Sequence, residues 1–211
     1  VCAFFEGAED EHGIYTAGAG DTDDLYIRRI AAGDTRALEN LYHETHTSVY
    51  AYVISVLKNV HDAEDVLHDC YLAVHSAAAN YSSSGKPMAW IITIAKNLCL
   101  MKLRERKKKA EVEDEDFFIN AQYNEDSRLT PEDTFILSEC MNELSDEERQ
   151  IVVLHVVSGF KHREIASFLN MALPTVLSKY HRALKKLKTS LSKISSWRFP
   201  TLWCCPPSPT V

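Results

Sequence analysis

Pro174-Thr-Val-Leu-Ser-Lys-Tyr-His-Arg-Ala-Leu-Lys-Lys-Leu-Lys188 follows Arg163-Glu-Ile-Ala-Ser-Phe-Leu169 after a turn from Asn170 to Leu173. In the later segment Val176, Tyr180, Ala183, Leu184, Leu187 and Leu191 recur at helical spacing and predict one buried stripe. The turn chemistry agrees. Asn170 tolerates the left-handed conformation that ends a helix, and Pro174 suits the first turn of the next. Two short helices around such a turn form a helix-turn-helix, whose second helix enters the major groove with its first turns. Thr175, Ser178, Lys179 and Arg182 then lie where base edges and phosphates are met, with Lys185, Lys186 and Lys188 further along for backbone charge. The competing reading is an amphipathic surface helix whose lysines are only solvated.

Working outward, the charge is segregated. Lys96 to Lys109 holds seven basic residues against Glu105, and Lys179 to Lys193 holds six with no acid. Between them, Ala110 to Asp133 carries nine acids against Arg128 alone. Such a stretch behaves as a solvated tether, so the chain is expected to divide there. The net charge of −7 argues against a freestanding DNA binder, because sequence-independent affinity comes from Lys and Arg neutralising phosphates.

The N-terminal half is expected to be all helix. Asp34 can cap a helix whose stripe is Leu38, Leu41, Tyr42, Thr45, Val49, Tyr52, Val53 and Val56. A second helix from about His61 buries Ala63, Val66, Leu67, Cys70, Tyr71 and Val74. Its other side bears Asp62, Glu64, Asp65 and Asp69, and no Lys or Arg occurs between Asn59 and Tyr81. That face is repelled by DNA and suits a basic protein surface, although Asp62 and Glu64 equally suit a solvated helix N-terminus. After the polar loop Asn80 to Gly85, a third helix begins near Pro87 and turns Ile91, Ile94, Ala95 and Leu98 inward. Lys86, Trp90, Thr93, Asn97 and Arg104 share another side. With Tyr81 and Ser83 in the loop, this is the composition of a platform for single-stranded or distorted DNA. Trp90 also fits plain boundary packing.

Thr130-Pro-Glu-Asp133 and Ser145-Asp-Glu-Glu148 read as helix starts, and Ile151, Val152 and Val156 supply a core on which the helix-turn-helix rests. The chain is therefore expected to be all-α: a leader expected to be disordered over 1–22, one helical domain over 23–109, a flexible acidic linker over 110–130, a helix-turn-helix domain over 131–194 and a tail over 195–211. The leader lacks the pattern of an export signal, and no apolar run reaches the roughly 18 residues of a membrane span. The six cysteines form no CxxC pair, which suits thiols in a reducing, cytoplasmic compartment. A carboxylate-bridged metal enzyme, hinted at by Asp65-x-x-His68, lacks the second acid-x-x-His copy it needs, so no cofactor, metal or catalytic residue is expected. A stand-alone helix-turn-helix regulator would need a sensor or dimerisation surface in place of the acidic helix.

Five motifs then stand in order: Gly33-Asp34-x-x-Ala37-Leu38, Asp62-Ala-Glu-Asp-Val-Leu-His-Asp-Cys-Tyr-Leu72, Ala89-Trp-Ile-Ile-Thr-Ile-Ala-Lys-Asn97, Gly159-Phe-Lys-His-Arg-Glu-Ile-Ala166 and the basic helix. Together, over about Asp23 to Leu191, they resemble the bacterial RNA polymerase sigma factors, and most closely the compact extracytoplasmic-function (ECF) group with only regions 2 and 4. The resemblance implies that Asp62, Glu64, Asp65 and Asp69 dock on the clamp helices of the polymerase's largest subunit, with the flap as a second contact. It implies that Tyr81, Ser83, Lys86, Trp90, Asn97 and Arg104 recognise and melt the −10 element. Thr175, Leu177, Ser178, Lys179, Arg182, Lys185 and Lys186 would read the −35 element. An anti-sigma protein is a further partner that many relatives have. The sequence departs from the family at Pro174, where Gly is usual, at Leu177 and Leu184, where a basic residue is usual, and at Met101, where Asp is usual. A thymine methyl is the natural contact for Leu177, which implies a shifted −35 preference.

Overall fold

The computed structural model describes residues 19–82, 86–109 and 131–198, and every regular element among them is helical. Helix α1 (Ala19–Ala31) ends at Gly33, whose φ of 90° turns the chain into α2 (Thr35–Leu57). The predicted cap is present: Asp34 Oδ1 accepts from the backbone N–H of Arg36 at 3.0 Å and of Ala37 at 3.3 Å. Its other carboxylate oxygen holds Arg29 at 2.6 Å and so fixes the α1–α2 corner. Helix α2 ends at Lys58 in the left-handed region, and Asn59 caps α3 (Val60–Ala77) by accepting from Asp62 N–H at 2.8 Å. A short 3₁₀ turn, Ala78–Asn80, leads toward α4 (Pro87–Lys109).

These helices close around Ile27, Leu41, Val49, Val53, Val66, Cys70, Val74, Ile91, Ile92 and Cys99, all buried. Each large apolar side chain of this kind contributes roughly 1.5–3 kcal/mol on leaving water. Where polarity enters the core it is satisfied: Tyr71 Oη lies 2.6 Å from Thr45 Oγ1, which also reaches the Leu41 carbonyl at 2.6 Å. The predicted stripes are recovered, apart from Tyr42, which is exposed and stacks on His46 at 4.9 Å between centroids. Helix α1 lies partly inside the expected leader and was not anticipated as a helix, since its apolar pattern is carried chiefly by Ile27 and Ile30. The acidic stretch 110–130, the start of the leader, Ser83 and the tail beyond 198 lie outside the described residues.

The second half comprises α5 (Pro131–Asn142), α6 (Asp146–Val156), α7 (His162–Leu169) and α8 (Leu173–Arg198). The capping box at Ser145 is complete, with Glu148 N–H donating to Ser145 Oγ and Ser145 N–H to Glu148 Oε2. Asn170 takes the left-handed conformation between α7 and α8, as its position in the turn requires. Val176, Tyr180, Ala183 and Leu187 bury the predicted stripe of α8 against α6 and α7. Arg149, also buried, donates to the Met141 and Leu144 carbonyls at 3.0 and 2.9 Å and so closes the C-terminal end of α5.

The two halves touch, which the tether picture did not anticipate. Helix α2 packs on α6, and Ser48 Oγ donates to the Val157 carbonyl at 3.2 Å. Phe168 of α7 meets the edge of Tyr52 at 5.8 Å and lies beneath the Lys96 ammonium, 4.4 Å from the ring centroid. Tyr52 belongs to the stripe that the sequence assigns wholly to the first domain's own core, and Ser48 lies beside that stripe with no apolar signal of its own.

Candidate nucleic-acid interface

On α8 the first three turns present Pro174, Thr175, Leu177, Ser178, His181 and Arg182 to solvent, with Val176 and Tyr180 turned inward. Leu177 is 36% exposed and is one of few large apolar side chains left in water. The seven residues expected to read DNA here do not stand alike. Lys179 is pulled toward α6 by Glu147 at 2.5 Å. Lys186 pairs with Glu148 at 2.6 Å, a carboxylate only 2% exposed. That pairing, the Ser145 amide and hydroxyl hold the Glu148 carboxyl below its ordinary range against the opposing effect of burial. Thr175, Leu177, Ser178, Arg182 and Lys185 form the open surface. His181 is exposed on that same surface, and the sequence offers no sign of it beyond its place next to the buried Tyr180.

The three-helix junction behind this surface is aromatic. His155 of α6 lies 4.2 Å from His162 of α7, and both rings meet Tyr180 of α8 at 5.0 and 4.8 Å. His155 Nδ1 lies 2.8 Å from the Phe160 carbonyl, while His162 Nε2 is buried without a hydrogen-bond partner. Burial, and then the neighbouring His155 and His181, hold the His162 imidazole below its ordinary value.

In the first half, Tyr81 and Trp90 come together, their rings 4.7 Å apart, where the loop enters α4. Tyr81 Oη donates to Asp24 Oδ1 of α1 at 2.7 Å, a positioning contact with no local sequence signal. Thr93, Asn97 and Arg104 are exposed along α4 from this pair, so the structure gathers these residues on one helix face. Lys86 stands at the same end, bonded to Glu164 of α7 at 2.5 Å.

The acidic face of α3 is divided. Asp62, with a side chain 17% exposed, is bound by Lys102 at 3.1 Å and by Arg106, whose Nε donates at 2.6 Å. Those cations hold its carboxyl below the ordinary range although burial pushes the other way. Asp65 shares Lys102 at 3.1 Å from the rim. Glu64 and Asp69 remain exposed, and Leu72, one turn beyond Asp69, is 54% exposed. Among the described residues no group of His, Cys, Asp and Glu is arranged to hold a metal ion, and no helix is long and apolar enough to cross a membrane.

A helix-turn-helix with an open second helix, joined in one chain to a helical bundle bearing an aromatic platform and an acidic face, defines a protein that works on DNA together with another protein. Residues 41–109 match the family description Sigma-70 region 2, and residues 134–187 match Sigma-70, region 4, together more than half of the chain. The chain belongs to the sigma-70 family of RNA polymerase sigma factors, in its ECF group. It is similar to the ECF RNA polymerase sigma factor SigK of Mycobacterium ulcerans (strain Agy99), with 28% identity over 183 residues, covering 83% of this chain and 98% of that one. Its fold matches CnrH, solved with the cytosolic domain of CnrY, at a TM-score of 0.58 and 20% identity over 82% of this chain and 99% of that one. It also matches the sigma factor RpoE of Bartonella quintana, solved with the anti-sigma factor NepR, at a TM-score of 0.59 and 22% identity over 73% and 96%. As a member of this family the protein is a transcription initiation factor whose partners are core RNA polymerase and promoter DNA.

Proposed function

We propose that this chain directs core polymerase to a two-part promoter and opens the upstream edge of the bubble without catalytic residues of its own. The observation that carries this reading is the pairing, in one bundle, of the Tyr81–Trp90 platform with an α3 surface whose exposed charges are acidic. DNA contact and polymerase contact thus have separate, oppositely suited faces. Docking rests on Glu64, Asp65, Asp69 and exposed Leu72, while Asp62 serves inside the domain as the anchor of α4.

At the −10 element, melting exchanges base stacking and pairing, a few kcal/mol for an extruded base, against stacking on aromatic rings and hydrogen bonds from the protein. Trp90 and Tyr81 provide the rings, and Ser83, Asn97, Lys86 and Arg104 the polar and phosphate contacts. At the −35 element, Thr175, Leu177, Ser178 and Arg182 read bases and Lys185 neutralises phosphate, while Lys179 and Lys186 hold the reading helix on α6. Each module alone binds weakly. Specificity arises when polymerase holds both at high effective concentration over one promoter. The protein works in the cytoplasm, and its structural neighbours' complexes support an anti-sigma factor as a further partner.

Run-off transcription with purified core enzyme on genomic templates tests the reading. A defined set of start sites dependent on this chain is expected, and an absence of any core complex would overturn it. Asp69→Lys, which disturbs no ion pair of the bundle, is expected to weaken core binding at least tenfold while leaving −35 binding intact.

A further inference from the structure

We infer that Arg28 of α1 is a further contact to the melted −10 strand, holding the phosphate beside the base that stacks on Tyr81 and Trp90. This rests on the reading of those rings as the −10 platform, and it adds a cation from a helix outside that platform. One carboxylate places it. Asp24, only 8% exposed, accepts the Tyr81 hydroxyl on Oδ1 at 2.7 Å and the Arg28 guanidinium on Oδ2 at 3.1 Å. A single buried side chain thus separates the guanidinium from the hydroxyl of a ring that stands 4.7 Å from Trp90. The packing of α1 on the 3₁₀ turn Ala78–Asn80 and on α4 maintains this arrangement. The Arg28 side chain is itself 65% exposed, so it meets solvent at that spot.

Stability does not account for the arrangement. An exposed ion pair four residues apart on one helix contributes little to folding. Arg29, next in the chain, already gives the last turn of α1 a cation and fixes the α1–α2 corner through Asp34 at 2.6 Å. The other cations assigned to the platform are badly placed for this phosphate. Arg104 lies almost four turns beyond Trp90 on α4, about 20 Å along the axis and too far for the same nucleotide. Lys86 is paired with Glu164. Single-strand sites combine stacking rings with cations that follow the backbone, and Arg28 is the cation at the Tyr81 edge. A guanidinium carries five donors in a fixed fork, so it can keep Asp24 and take a phosphate together. Asp24 then stays neutralised beside the polyanion.

The test binds holoenzyme to a fork-junction duplex from a promoter mapped by run-off transcription. An uncharged methylphosphonate replaces each −10 phosphate of the single strand in turn. In the wild type, one position beside the stacked base is expected to lose about tenfold in affinity, the scale of one charge-assisted contact. Arg28→Ala is expected to bind the unmodified fork about tenfold more weakly, and the methylphosphonate at that position then to cost nothing more. The log–log salt dependence of the variant is expected to be shallower by about 0.7, one single-strand phosphate, while Arg28→Lys keeps the wild-type slope. Thermal melting of the free chain is expected to be unchanged by Arg28→Ala, because the side chain lies mostly in solvent. Full additivity at every position, or unchanged affinity of Arg28→Ala holoenzyme, overturns the inference and leaves the sigma-factor reading standing. A weaker Arg28→Ala complex with the wild-type salt slope confines Arg28 to holding its neighbours and overturns it as well. A chain that forms no complex with core enzyme overturns both.

Discussion

Single side chains of α8 differ in what holds them, and the structure separates the paired from the open where the sequence does not. Lys186 stands in a row of basic residues that invites assignment to DNA, yet it neutralises the nearly inaccessible carboxylate of Glu148. Lys186→Ala is therefore expected to lower the stability of the second half by about 2 kcal/mol, leaving a carboxylate buried without its cation, and to spare −35 sequence preference. Thermal melting beside a binding-site selection distinguishes this from a lost DNA contact. Arg149 is a plainer case. Its guanidinium closes two carbonyls at the end of α5, so Arg149→Leu is expected to cost about 2–3 kcal/mol, read as a lowered denaturation midpoint. Leu177→Ala should leave stability unchanged, since the side chain has no place in the core, while relaxing base preference at one −35 position.

Among the elements, the junction of α6, α7 and α8 carries a pH dependence whose sign is fixed. His162 is held below its ordinary value of 6.5, so as pH falls through that value the unfolded chain takes up a proton that the folded one refuses. Stability is complete above about 6.5 and declines as pH drops. The carboxylates Asp62, Asp146, Glu148 and Glu164, all held below their ordinary values, add their own losses only at lower pH still. Melting temperature measured between pH 7.5 and 5.5 should fall for the wild type and flatten for His162→Gln. The helices themselves were legible in the sequence because their signals are local: the Asp34 cap, the Ser145 box and the stripe of α8 each occupy a few consecutive turns. Helix α1 was missed for want of a long stripe. The division of the acidic face was missed because Asp62 meets Lys102 and Arg106 from 40 or so residues away, a pairing that only the crossing of α3 and α4 creates. Tyr81 and Trp90, read from the sequence as parts of one platform, are in contact, but Asp24, which orients the tyrosine, gives no local sign.

For the molecule as a whole, the segregation of charge leads to an expectation of two modules joined by a tether, and it has no means of foretelling that the two halves rest on each other. The continuous apolar core predicts a single cooperative thermal transition for the full chain. Phe168→Asp, which places a charge between Tyr52 and Phe160, should split it into two in scanning calorimetry. The same close packing has a bearing on oxidative chemistry. Cys70 and Cys99 sit at the centre of the first bundle, where burial pushes each thiol up to about 12. Almost no thiolate exists there at neutral pH, so peroxide and alkylating reagents find no nucleophile until the bundle comes apart. The rate at which these two sulfurs become reactive is thus a built-in clock for the opening of the first helical bundle.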